Sequence, residues 1–262
     1  MKSRILSCAA TLLIGASVST YAYFQNPASQ NSKKPLYQPS ANDSTVVGTI
    51  RVNGEVGRPS EIGMGADPVC VNLNRSPKSD WLLANNQLLQ NAFVYIKEGD
   101  ALKNYRFEAP ATEVVLEHKN CSFSPHVLGI RTGQRLSIVN SDPTNHNTHP
   151  TPKNNLEWNQ TQPPRAEPIT KTFPRAEVMI PVKDNQHPWQ RAYIAVLDHP
   201  FFAITDEFGN YEIRGLPPGT YKLSVWHELL GEQEVEIKVA SGETRTVDFN
   251  LDASKANASP RN

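Results

Sequence analysis

The chain has 262 residues, 26 basic and 26 acidic side chains, and 38% hydrophobic residues. A polyanion-binding protein gathers its basic residues on one surface; the balanced charge here argues against nucleic acid as a partner. The length is enough for one large β domain or two small ones.

Lys2 and Arg4 precede an apolar stretch running from Ile5 through Leu12, Leu13 and Ile14 to Val18, and Thr20-Tyr21-Ala22 offers a small-x-small cleavage site. Residues 1–22 therefore read as a secretory signal. The stretch falls short of the roughly 20 apolar residues of a stable span, so any membrane tie is through an uncleaved N-terminus. The mature protein is expected in the periplasm or outside the cell. Residues 23–44, rich in Asn, Ser, Pro, Gln and Lys, read as a disordered polar tether.

From Thr45 onward the signals are those of strands. Val46–Ile50, Phe93–Ile96, Val114–Leu116, Leu136–Val139, Val178–Ile180 and Tyr193–Val196 are short apolar runs between Gly, Pro, Asn and Asp clusters. A short helix could lie within 80–91, and the proline-rich segment 151–172 reads as a long surface loop. Only Cys70 and Cys121 remain after the signal; two cysteines in an exported protein pair, and a structural disulfide is expected. In the last third, Tyr221, Leu223 and Val225, then Val235, Ile237 and Val239, then Val247, Phe249 and Leu251 alternate with polar residues. Period-two alternation marks strands with one buried face. Residues 253–262 read as a disordered tail.

Residues Ala203–Ile213 (Ala-Ile-Thr-Asp-Glu-Phe-Gly-Asn-Tyr-Glu-Ile) and Leu216–Tyr221 (Leu-Pro-Pro-Gly-Thr-Tyr) carry a Thr-Asp, Gly, Tyr, Leu-Pro-Pro-Gly, Tyr order. This section resembles the carboxypeptidase regulatory-like domains, small sandwiches related in shape to transthyretin. The resemblance implies a non-catalytic module over 198–252.

Two segments hold the densest chemistry: Asn140–His149 and Pro181–Gln190. Each follows a strand-like run, and histidine-bearing strand ends that converge from distant sequence are how β-sandwich metal sites are assembled. With Asp67-Pro68-Val69-Cys70, Cys121–Val127 and Gly133-Gln134, they resemble bacterial exported cupredoxin-like proteins, related to plastocyanin and associated with methylamine utilisation. The resemblance implies an all-β chain: a cupredoxin-like Greek-key sandwich at 45–197 merged with the regulatory-like sandwich at 198–252. It also implies a copper centre with one histidine from the first segment and the rest from a Cys-x-x-His-Pro-Trp-Met motif, the His₂Cys set with a weak axial methionine.

The sequence departs from that set at two ligands. His146 and His187 stand at the histidine positions, but Asp184 occupies the cysteine position and Gln190 the methionine position. Glutamine is a known axial ligand; loss of the thiolate removes the soft donor that makes copper blue. Three readings follow. The site is a structural remnant without metal, or it is a non-blue copper or zinc site of His146, Asp184, His187 and Gln190 with His149 as an extra or replacement ligand, or it is an electron-transfer or copper-handling centre. The chain lacks Gly-x-Ser-x-Gly, His-Glu-x-x-His and a phosphate-binding glycine loop; a non-enzymatic protein that binds an envelope protein or extracellular ligand is expected. His126, His199 and His227 read as packing or hydrogen-bonded residues.

Overall fold

A computed structural model describes residues 34–258. The expected signal, the start of the tether and residues 259–262 lie outside the described residues. The strands are β1 (Ser44–Asn53), β2 (Ala84–Asn85), β3 (Leu88–Leu89), β4 (Phe93–Gly99), β5 (Val114–Lys119), β6 (Ser122–Ser124) and β7 (Val127–Arg131). They continue with β8 (Leu136–Asn140), β9 (His146–Pro150), β10 (Gln160–Gln162), β11 (Ile169–Lys171), β12 (Glu177–Lys183) and β13 (Arg191–Leu197). The last are β14 (Phe202–Ile204), β15 (Asn210–Leu216), β16 (Gly219–His227), β17 (Gly231–Val239), β18 (Thr244–Thr246) and β19 (Phe249–Asp252). Two short α-helices, α1 (Pro68–Leu73) and α2 (Ser254–Ala258), and a 3-10 turn at Asp100–Asn104 complete the elements of the described residues, where no helix is long and apolar enough to cross a membrane.

The strands form four sheets stacked as two sandwiches. In the first, a sheet ordered β15-β1-β3-β2, with β18 and β19 also on β1, faces a sheet ordered β14-β4-β16-β17. Val46, Ile50, Val94, Ile96, Ile213, Leu223, Val225 and Phe249 fill the space between them. In the second, β11-β8-β5-β6 faces β10-β9-β12-β13-β7 around Leu116, Ile130, Ile138, Phe173, Ile180 and Ile194. The second sandwich is inserted whole, as residues 114–197, between β4 and β14 of the first.

That arrangement differs from the expected division at 197/198. Strands β1 and β4 pair with β15, β18, β19, β14 and β16, so these two strands, expected in the N-terminal domain, belong to the sandwich of the C-terminal strands. The cause is that sheet partners need not be neighbours in sequence, and apolar pattern alone does not say which strand pairs with which. Burial on β4 and β13 records the stacking. Val94 and Ile96 face one core, while Phe93 and Tyr95 face a third cluster with Val127, Ala195 and Leu197 of the inserted sandwich. Residues buried on both faces give continuous apolar runs rather than alternation. Gly129 sits at this junction, where an added Cβ would lie 2.2 Å from the Phe202 ring.

Three smaller expectations also change. Order begins before residue 45: the Tyr37 ring packs on Tyr105, Phe107 and Phe201, and its hydroxyl donates to Asp43 at 2.6 Å. One aromatic ring supplies enough apolar area to pin a polar segment. The segment 80–91 forms the β2–β3 hairpin; the helix lies instead at Pro68–Leu73, where Asp67 caps it and Pro68 takes the first turn. The loop 151–172 contributes β10 and β11, and the tail opens with α2, whose Ala256 is buried in the first core.

His126 ties the two sandwiches together. Its ring contacts Glu228 through Nε2 and lies 3.3 Å from Asp80 through Nδ1. Burial alone would lower its pKa; the two carboxylates outweigh that and raise it to about 10. Tyr193 packs edge-on against the ring, and buried His227 also faces it. The folded pKa exceeds the unfolded value, so the contribution is complete below about pH 6.5 and lost as pH rises through about 10. Stability should therefore fall between pH 7 and 10 by up to about 3 kcal/mol, a figure reduced for the partial exposure of Asp80. Urea unfolding of wild type and His126→Gln across that range checks this. Parallel pH profiles for the two proteins would contradict it.

Candidate metal centre

The centre is built at one end of the inserted sandwich, where loops leave β8 and β12. Asn140, the last residue of β8, clamps the first loop: its Nδ2 donates to the carbonyls of Thr144 (2.8 Å) and Gln162 (2.9 Å), and its Oδ1 accepts from the Asp142 amide (3.0 Å). This turn delivers His146 as the first residue of β9. In the second loop, Asp184 Oδ1 accepts from the amides of Gln186 (2.8 Å) and His187 (3.1 Å), a side chain to backbone turn typical of Asp. The Gln190 backbone amide then bonds the His187 carbonyl at 2.9 Å, and β13 begins.

These turns bring His146, Asp184, His187 and Gln190 together, all buried. His146 Nδ1 lies 3.0 Å from Asp184 Oδ2 and 3.2 Å from His187 Nδ1; His187 Nδ1 lies 2.9 Å from the same carboxylate oxygen. Gln190 borders the set: its Nε2 lies 3.0 Å from His146 Nδ1 and its Oε1 3.0 Å from His118 Nδ1. Tetrahedral coordination at about 2.0–2.1 Å places ligand atoms about 3.3–3.4 Å apart. The two Nδ1 atoms and Asp184 Oδ2 match that spacing to within about half an ångström.

Three residues that the sequence reading left without a role complete the centre. Asp142 Oδ2 accepts from His146 Nε2 at 3.0 Å, and Asp67 Oδ2 accepts from His187 Nε2 at 3.1 Å. Each carboxylate faces an Nε2 and so aims the Nδ1 of its ring at Asp184, the outer-shell arrangement that orients metal-binding histidines. Both carboxylates are anchored in turn. Asp142 accepts from the amides of Asn120 (2.7 Å) and Cys121 (2.8 Å), and Asp67 from Val69 (2.8 Å) and Thr144 (2.9 Å). The third residue, His118, stacks on His146 with ring centroids 4.6 Å apart and planes 2° from parallel. It shares the buried face of β5 with Leu116, and a histidine in step with an apolar alternation was the signal available for it.

The electrostatics follow from these contacts. Burial would raise the carboxyl of Asp184, but hydrogen bonds from His146 and His187 outweigh it and hold the pKa at about 2. Asp142 and Asp67 are likewise held below the usual range by their donors against the opposing effect of burial. Burial opposes protonation of His146, yet Asp142 and Asp184 raise its pKa, so the position favours a cation at Nδ1. Burial pushes His118, which has no carboxylate partner, down to about 4.

His149 is not part of this set. Its Nδ1 lies 3.2 Å from Asn185 Oδ1 and its Nε2 lies 2.7 Å from Glu157. Side chains alternate along a strand, so His146 and Thr148 point inward while His149, three residues on, points out. Cys70 and Cys121 form the expected disulfide, with 51 residues of separation. Its sulfurs are close to the histidines: Cys70 lies within 4.8 Å of ligand atoms of Asp67 and His187, and Cys121 within the same distance of Asp142 and His146.

Comparison with known proteins bears on the scaffold. The family model of the carboxypeptidase regulatory-like domain matches residues 181–252. The match spans β14–β19 of the first sandwich but also the end of β12 and all of β13 of the inserted one, and it omits β1 and β4. No curated protein matches the chain. Among solved structures, a copper-containing nitrite reductase from Thermus scotoductus SA-01 is 18% identical with a TM-score of 0.30, covering 38% of this chain and 27% of that one. An amicyanin mutant in the Cu(I) form is 18% identical with a TM-score of 0.29, covering 39% and 97%. A purple cupredoxin from Nitrosopumilus maritimus is 18% identical with a TM-score of 0.28, covering 32% and 98%. This chain thus spans about a quarter of the reductase. At such scores the likeness carries nothing about the centre, whose reading rests on the distances above.

Proposed function

We propose that this is an exported, non-enzymatic β-sandwich protein that holds one divalent transition-metal ion, copper(II) or zinc(II), in a colourless centre of His146, His187, Asp184 and Gln190. The observation that carries the reading is the convergence of two Nδ1 atoms and Asp184 Oδ2 within 3.2 Å of one another, with a carboxylate on the far nitrogen of each ring. Nitrogen and hard oxygen donors suit copper(II) or zinc(II); without a thiolate, copper(I) and rapid electron transfer are disfavoured. A closed, buried set of protein ligands fits a structural centre better than a catalytic one, which keeps an open position. The disulfide fits an oxidising compartment, and the regulatory-like strands fit a role in binding an envelope protein or extracellular ligand.

Metal should bind the folded state and raise its melting point. At one hundred times the dissociation constant the gain is about 2.7 kcal/mol, or roughly 5–10 °C for a domain of this size. His187→Ala should abolish the shift, and copper(II) should give an electron paramagnetic resonance signal without an intense visible band. If neither metal produces a His187-dependent shift, the site is a structural remnant and the proposal fails. An intense blue band would instead favour the alternative of periplasmic electron transfer or copper handling.

A further inference from the structure

Alternation puts Pro181 and Lys183 of β12, and Arg191 and Tyr193 of β13, on the face of their sheet that points away from the inserted core. Farther along β13, Ala195 and Leu197 on this same face are covered by the first sandwich. The cover ends at Tyr193, which packs on Trp226 with ring centroids 4.9 Å apart. Beyond it opens a cleft of about 600 Å³ whose walls include Pro181, Lys183, Pro188, Arg191 and Tyr193.

The charge of this cleft is unbalanced. Lys183 and Arg191 stand directly opposite each other in the antiparallel pair, and His149 of β9 stands opposite Lys183 on its other side. Opposed residues have Cβ atoms about 4.5–5.5 Å apart, and like charges so placed repel. His149 is answered by Glu157 at 2.7 Å. Among the described residues neither Lys183 nor Arg191 is in an ion pair; the Arg191 guanidinium instead lies 4.5 Å from the centre of the Trp81 ring. Both strands are interior in the order β10-β9-β12-β13-β7, so the two cations do not guard a sheet edge. Asp184, at the margin of the cleft, does not neutralise them. It is buried, with Oδ1 accepting the amides of Gln186 and His187 and Oδ2 facing the two histidine rings.

We infer that this cleft binds a small organic carboxylate, held by Lys183 and Arg191, with its apolar body against Pro181, Pro188 and Tyr193. The guanidinium stacked on Trp81 is fixed in its plane and offers a carboxylate two parallel N–H groups, while Lys183 adds a mobile point charge. The volume falls within the roughly 300–1,000 Å³ of small-ligand sites. A bound carboxylate also relieves the repulsion across the pair. Neither cation belongs to the metal centre, so the cleft stands whether or not that centre holds an ion.

The test titrates benzoate into the ¹⁵N-labelled full chain, with its neutral isostere benzamide and inorganic phosphate as controls. Saturable shifts of amides between Val182 and Tyr193 are expected, with a dissociation constant on the order of 1 mM, the scale for so small a ligand. Benzamide and phosphate should each bind about 10-fold more weakly or not at all, the first for want of charge and the second for want of an apolar body. Lys183→Gln should weaken benzoate about 10-fold, and so should Arg191→Lys, which keeps the charge but loses the fork. Absence of saturable shifts with benzoate overturns the proposal. Benzamide or phosphate binding as tightly as benzoate overturns it too, as does benzoate binding unchanged in both variants. The comparison of the three probes uses the wild-type chain and decides the matter even if a variant misfolds.

Discussion

Replacing Cys70 with Ser is expected to lower stability by about 2–5 kcal/mol, the usual cost of losing a native disulfide. With 51 residues of separation, the chain-entropy model gives about 4 kcal/mol from the unfolded state alone. The native state adds to this. Both cysteines are fully buried and pack with Met64, Ile62 and Trp189, so breaking the bond leaves a serine hydroxyl and a thiol to be accommodated in a buried site. The bond also braces the centre. Cys121 donates its amide to Asp142 and accepts from Trp189 Nε1 at 3.0 Å, while Cys70 lies in the helix that Asp67 caps. Freeing the two segments should therefore loosen both carboxylates that orient the histidines, and metal affinity should fall along with stability. Urea unfolding of wild type and Cys70→Ser measures the first effect, and zinc titration the second. Peptide mapping without reduction should recover the crosslinked pair. An unchanged urea midpoint would mean that the bond is not the constraint described.

What the sequence disclosed follows the range over which each interaction acts. Asp184, His187 and Gln190 lie in one loop after an apolar run, inside a segment whose dense chemistry stood out; the family resemblance picked these three out of it and added His146. Asp67, Asp142 and His118 come from separate segments, and only pairing assembles them: the parallel register of β5 on β8 sets His118 opposite Asn140, beside the loop that carries Asp142. No local pattern encodes a parallel register between distant strands. Asp142 was within a singled-out segment, but nothing in its spacing separates a second carboxylate from a turn residue. The same limit hid the insertion. Val46–Ile50 and Phe93–Ile96 were legible as strands, while their partnership with β14–β19, across the whole inserted sandwich, is a tertiary fact. Alternation failed where a polar residue found a buried partner or an apolar one had no cover: Ser224 is buried with its hydroxyl donating to Glu232 at 2.6 Å, and Val235 is 38% exposed on the edge strand of its sheet.

The double variant Asp184→Cys with Gln190→Met should turn blue on addition of copper(II), where the parent protein stays nearly colourless. Asp184 Oδ2 is 3.0 Å from His146 Nδ1 and 2.9 Å from His187 Nδ1, so a thiolate at this position faces both rings. Two imidazoles, one thiolate and a weak thioether are the donors of blue copper. The substitution has a cost. Asp184 Oδ1 accepts the amides of Gln186 and His187, and sulfur replaces those bonds weakly, so the metal-free variant should lose about 1–3 kcal/mol. Replacing the Gln190 amide with a thioether would also leave His118 Nδ1 without its partner, a second reason for the variant to be less stable than wild type. Copper binding to the folded state should recover part of that loss. Absorbance and melting curves, with and without copper, separate the outcomes. A folded variant that takes up copper and shows an intense charge-transfer band establishes that the scaffold supports a cupredoxin centre and that the change of two side chains removed its colour. A variant that stays folded and colourless with copper present would show that His146 and His187 do not converge on position 184. The geometry on which the native centre is proposed would then be wrong.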